Sequence, residues 1–173
     1  MIKVRGQALL LPVSPWFIVW SLVFALLLSM WLGLSHQLWL PDVLAIFVFF
    51  WGIHQPRRVG MGIAFFLGLW VDVQQSALLG QHALAYTFLS YGAFTIHRRL
   101  LWFALPQQAL QVLPFFVLAN VTQWLTRLIA GEAFAGWLIL FAPLCEALLW
   151  PLVSTLLLAP QRRAHETDVH RPI

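Results

Sequence analysis

The stretch "GMGIAFFLGLWVDVQQSALLGQHALAY", residues 60–86, decides how the chain is read. Its first half has the apolar character of a helix in lipid, yet Asp72 stands in it with no lysine or arginine nearby. A charge at membrane depth costs at least about 2.5–3.5 kcal/mol on insertion scales, so an acid there needs a reason. Gly60, Ala64, Gly68 and Asp72 recur at steps of four and therefore lie along one stripe of a helix. Small residues at that spacing let a second backbone approach closely. The following helix can answer with Ala83, Thr87 and Ser90. Asp72 reads either as a residue on the seam of a close helix pair or as a boundary residue of a generic membrane helix.

Outward from this segment the composition agrees. Of 173 residues, 61% are hydrophobic and 9% charged, with a mean hydropathy of +0.83. A soluble domain carries about 25% charged residues, so an integral membrane protein is expected. Six apolar runs follow at about 16–34, 38–53, 59–73, 82–96, 107–129 and 137–159, separated by short turns. The expected fold is an all-α bundle of six transmembrane helices forming one domain, residues 1–160. Residues 161–173, "QRRAHETDVHRPI", read as a polar cytoplasmic tail. The first run is too long for a signal peptide and no small-x-small cleavage site closes it, so it reads as a retained span.

Charge placement sets the orientation. Of ten basic residues, only Arg127 falls toward one side of a six-span topology. Lys3, Arg5, the pairs Arg57-Arg58, Arg98-Arg99 and Arg162-Arg163, and Arg171 fall on the other. By the positive-inside rule that side is cytoplasmic and holds both termini. A five-span count would split the pairs across the membrane. The pI near 10.2 therefore reflects topology, and no nucleic-acid partner is expected. The basic turns also suit anionic lipid.

Three other polar residues lie inside apolar runs. By rise per residue, Asp72 and Asn120 each stand about 20 Å from the cytoplasmic ends of their helices, and Glu146 about 14 Å below the outer end of its own. Asn120, Gln123 and Arg127 form a stripe on the fifth span. A polar cluster of Asp72, Asn120, Gln123 and Glu146, with Arg127 above, is one reading; a Glu146 merely hydrogen-bonded in the core is the other. Pro143 and Pro151 bracket Glu146 and would free backbone carbonyls there.

Signatures of catalysis are missing: there is no H-E-x-x-H, no G-x-S-x-G and no phosphate-binding loop ending in Gly-Lys. His36, His54, His82, His97, His165 and His170 are scattered near span ends and read as interfacial residues. The single cysteine, Cys145, permits no internal disulfide and no metal site alone. No catalytic residue, cofactor or metal is expected.

The segment "LPDVLAIFVFFWGIHQPRRVGMGIAFFLGLWVDVQQSALLGQHALAY", residues 40–86, resembles the MreD family of bacterial rod shape-determining membrane proteins. The resemblance rests on Pro41-Asp42 at the start of the second span, on Pro56-Arg57-Arg58-Val59-Gly60, and on Gly68, Asp72, Leu79-Gly80 and Ala83-Leu84. It implies a non-enzymatic component of the cell-elongation complex in the bacterial inner membrane. Its implied partners are an MreC-like membrane protein, MreB filaments and the cell-wall synthases, the latter two directly or through other members of the complex. It also implies a fold similar to the substrate-binding subunits of energy-coupling-factor vitamin transporters, which makes a small-molecule transporter subunit the alternative function. In this light Asp72 is expected to fix the turn between spans three and four. Gly60, Ala64, Gly68, Asp72, Gly80, Asn120, Arg127 and Glu146 are the candidate structural or partner-interface residues.

Overall fold

A computed structural model describes residues 13–33, 40–131, 136 and 140–161. Among these the chain forms six helices: α1 (Pro15–Gly33), α2 (Val43–His54), α3 (Met61–Gln74), α4 (Gln81–Leu100), α5 (Leu105–Ile129) and α6 (Phe141–Leu158). A 3-10 turn over Ala159–Gln161 ends the last. Three of these segments are long and apolar enough to cross a membrane: α1, α5, and α6 with its closing turn. α2 and α3 are apolar but shorter, and residues 137–139, expected to open the sixth span, lie outside the described residues.

α2 is the axis of the bundle. Every residue from Val43 to Ile53 is buried, and a helix apolar on all sides belongs in the middle of a larger structure. Its 12 residues extend only about 18 Å, which suits a helix enclosed by neighbours rather than one facing lipid. The second span was expected from residue 38; α2 starts at Val43 because Asp42 caps it, its Oδ1 accepting the Ala45 N–H at 3.1 Å. α1, α4 and α6 pack around it. Phe49 and Phe50 meet Trp150 of α6, and Phe49 also meets Phe115 and Phe116 of α5. Among the described residues the two buried indoles both have acceptors: Trp51 Nε1 donates to Ser21 Oγ at 2.8 Å and Trp150 Nε1 to Gln108 Oε1 at 3.2 Å.

The outer faces are apolar in the way lipid requires. α1 turns Ile18, Ser21, Leu22 and Ala25 inward and leaves Trp16, Trp20, Phe24, Leu27 and Trp31 exposed. α6 likewise exposes Leu144, Leu148, Leu152 and Leu156. Acyl chains are as apolar as leucine, so close packing must hold such helices together. Glycines provide it. A Cβ on Gly68 would lie 2.5 Å from Ala83 Cα, and one on Gly52 would lie 2.9 Å from Ala93 Cβ. These contacts bring α3 and α2 against α4.

The contacts also set the helix directions. Asp42 meets Tyr86 while Gly52 meets Ala93, so α2 and α4 run parallel. Gly68 meets Ala83 and Asp72 meets His82 across a short turn, so α3 runs antiparallel to α4. The Arg58 guanidinium donates to the Val13 carbonyl at 2.7 Å, placing the start of α1 beside the α2–α3 turn. α4 runs four residues beyond the expected Ile96, through His97, Arg98 and Arg99. Cations favour the negative end of a helix dipole, so the basic pair extends this helix instead of ending it. Pro143 sits in the first turn of α6, where no intrahelical bond is lost, and Pro151 lies within a continuous helix.

Candidate functional site

Asp72 is completely buried at the last turn of α3. Gly80, whose φ of +102° only glycine adopts easily, precedes α4 and provides no side chain to cap it. The Asp72 carboxylate supplies the cap from the neighbouring helix. Oδ2 accepts the Gly80 N–H at 2.9 Å and the Ala83 N–H at 3.4 Å. Oδ1 accepts the His82 N–H at 2.8 Å and lies 2.7 Å from His82 Nδ1. An acid at the positive end of a helix is favourable, so the carboxylate is stabilised by the very turn it closes. Gly68, one turn earlier, lets α4 come near enough for this to happen.

Glu146 is 1% exposed and lies at a second junction, where four helices meet. Its Oε1 accepts the Asp42 N–H at 3.1 Å, and its carboxylate accepts from Asn120 Nδ2 at 3.2 Å. The same Asn120 amide donates to the Phe116 carbonyl of its own helix at 3.0 Å. Asp42 Oδ2 accepts the Tyr86 hydroxyl at 2.6 Å. One group from each of α4, α5 and α6 thus converges on the cap of α2. The His82 ring meets the Tyr86 ring edge-on at 6.1 Å, so the two junctions are neighbours along α4.

This geometry divides the polar cluster expected from sequence. Asn120 and Glu146 are bonded, as their depths suggested, but Asp72 belongs to the α3–α4 junction. Arg127 makes no hydrogen bond or ion pair among the described residues, and the Gln123 side chain bonds to none of these groups. Their i, i+3, i+7 spacing put them on one face, but they stand one and two turns beyond Asn120. Ala64 and Gly68 lie buried on one face of α3, Gly68 against Ala83 of α4; Gly60 caps α3, where a Cβ would make ordinary contact with the Pro56 carbonyl at 3.8 Å. His82, expected at an interface, is 5% exposed and paired with Asp72. Tyr86 was not singled out from sequence, although it stands one turn from His82 on the same face. Asp42 was read only as a helix-start acid; its second oxygen was the missed half.

At both junctions a buried carboxylate accepts hydrogen bonds that hold one helix against another. Among the described residues no group of three metal-ligating side chains converges. These features define a helical membrane protein whose buried polar groups act as fasteners between helices.

Comparison with known proteins specifies the class. The family model described as "rod shape-determining protein MreD" matches residues 9–159. The chain is 30% identical over 158 residues to the rod shape-determining protein MreD of Haemophilus influenzae, covering 87% of this chain and 94% of that protein. The chain belongs to the MreD family and is a rod shape-determining membrane protein. No solved structure matches it, so the expected likeness to vitamin-transporter subunits gains no support, nor does the transporter function drawn from it.

Proposed function

We propose that this chain is a non-enzymatic scaffold of the cell-elongation complex in the bacterial inner membrane. It binds an MreC-like membrane protein and thereby links MreB filaments inside the cell to peptidoglycan synthesis outside. The observation carrying this reading is family membership across residues 9–159, nearly the whole helical region. A scaffold must present rigid lateral faces, and junctions that lock α2, α3, α4, α5 and α6 together suit that task.

The same reading includes six spans in one domain, residues 1–160, with both termini cytoplasmic and residues 161–173 as a tail. The alternating directions of successive helices favour it, as does the gathering of Arg57, Arg58, Arg98 and Arg99 at one end. The candidate residues divide by role. Gly68, Asp72, Gly80, Asn120 and Glu146 are architectural, while the exposed face of α1 is free for a partner helix or lipid. Anionic lipid is the expected neighbour at the basic end.

Depletion of the protein in its host tests the reading, with re-expression of the tagged chain and purification from mild detergent. Rod shape should return with expression, and MreC-like and cell-wall synthesis proteins should co-purify. Restored shape without these proteins would overturn the scaffold role.

A further inference from the structure

The end of the bundle opposite the two junctions carries a cluster of positive charge with no carboxylate beside it among the described residues. α2 and α4 run parallel in register, with Gly52 against Ala93, so Arg57 and the Arg98-Arg99 pair emerge at the same end. All three are exposed. The described acids, buried Asp72 and Glu146 and half-buried Asp42, stand at the opposite junctions, so no described carboxylate stands at this end. Glu132, Glu166 and Asp168 lie outside the described residues. Arg58 differs from its neighbours because its guanidinium is bonded to the Val13 carbonyl, fastening α1.

Directly after the arginine pair, Trp102 is 90% exposed. A tight turn holds it there: its N–H donates to the Arg99 carbonyl at 3.2 Å, and the Phe103 N–H to the Leu100 carbonyl at 3.1 Å. Leu100 below is fully buried, so the turn is anchored while the indole projects outward. Exposed tryptophan beside arginine matches the chemistry of a headgroup boundary, with an apolar ring at the acyl edge and guanidiniums level with phosphates.

The geometry points to an anionic-phospholipid site formed by Arg57, Arg98, Arg99 and Trp102 at the end of α4, with Arg58 serving the fold instead. This deepens the lipid part of the proposed function and is independent of its protein partners. The full chain is placed in bilayer discs of equal phosphatidylcholine and phosphatidylglycerol, then extracted, and the retained lipid is counted by mass spectrometry. The wild-type chain retains phosphatidylglycerol above its share. R98Q/R99Q lowers that preference by about fivefold per arginine, the usual worth of one basic residue at an anionic surface. Arg58→Gln lowers thermal stability and leaves the preference within about twofold. Equal retention of the two lipids by the wild-type chain, or an equal loss in Arg58→Gln, would overturn the site. If the double variant does not fold, fluorescence quenching by acyl-brominated lipids decides. Brominated phosphatidylglycerol quenches the wild-type chain more than brominated phosphatidylcholine, and Trp102→Phe removes the excess; an excess that survives overturns the proposal.

Discussion

His82 is bound to Asp72 twice, through its backbone N–H at 2.8 Å and its ring nitrogen at 2.7 Å, both to the same carboxylate oxygen. The pair joins the last turn of α3 to the first turn of α4. It gives three amides at the start of a 20-residue helix an acceptor that Gly80 cannot offer.

Asp72→Ala leaves those N–H groups without an acceptor, the His82 and Ala83 amides in a buried setting. A lost cap costs about 0.5–2 kcal/mol and an orphaned buried donor about 1–3. A loss of about 2–4 kcal/mol is expected, measured by unfolding in mixed micelles of mild detergent and dodecyl sulfate. Asp72→Asn keeps one acceptor oxygen and should lose less. Equal stability of Asp72→Ala and the wild type would show that water or lipid headgroups replace the cap.

The glycine stripe makes a sharper claim, because its members differ. A methyl on Gly68 collides with backbone at 2.5 Å, and backbone cannot move aside without separating α3 from α4. Gly62, on the same helix, has open space around it. Gly68→Ala should cost at least about 1–3 kcal/mol, as overpacking does. Gly62→Ala should be neutral or gain up to about 1 kcal/mol from helix propensity. The same micelle titration reads both, and parity between them would refute the close approach.

The steps of four from Gly60 to Asp72 made a helical seam legible, because period and residue size are written in the chain itself. What spacing could not supply was the identity of the element beyond the seam. Asp72 was expected level with Asn120 and Glu146 from its depth, but depth says nothing of azimuth, and its oxygens turn to the start of α4. Tyr86 stayed hidden for a related reason: a tyrosine in an apolar run resembles any interfacial aromatic until its hydroxyl's partner, 44 residues away, is known. Arg127 shows the converse, since its place on the polar stripe brought it to no partner among the described residues.

Tyr86→Phe removes one hydroxyl and leaves the packed ring. Its Asp42 partner keeps the Ala45 N–H on the other oxygen, so the loss should be about 1 kcal/mol. Cell shape in a depletion strain should survive that change. A collapse in membrane level with this single-atom change would mean that the hydroxyl does more than bond Asp42.

Glu146 and Asn120 belong to one network, so their substitutions should not add. Glu146→Ala orphans the Asp42 N–H and one Asn120 donor together, whereas Asn120→Ala removes only its own contacts. Glu146→Ala should therefore be the costlier, and Glu146→Gln, which retains an acceptor for Asp42, should recover part of the loss. Side-chain hydrogen bonds between membrane helices average about 0.6 kcal/mol in double-mutant cycles, with a ceiling of about 1.7. A coupling between the two alanine variants in that range, read from micelle unfolding of the wild type, both singles and the double, is expected. Strict additivity would mean that Asn120 and Glu146 stabilise α5 and α6 independently, and the four-helix junction would lose its basis as a single unit.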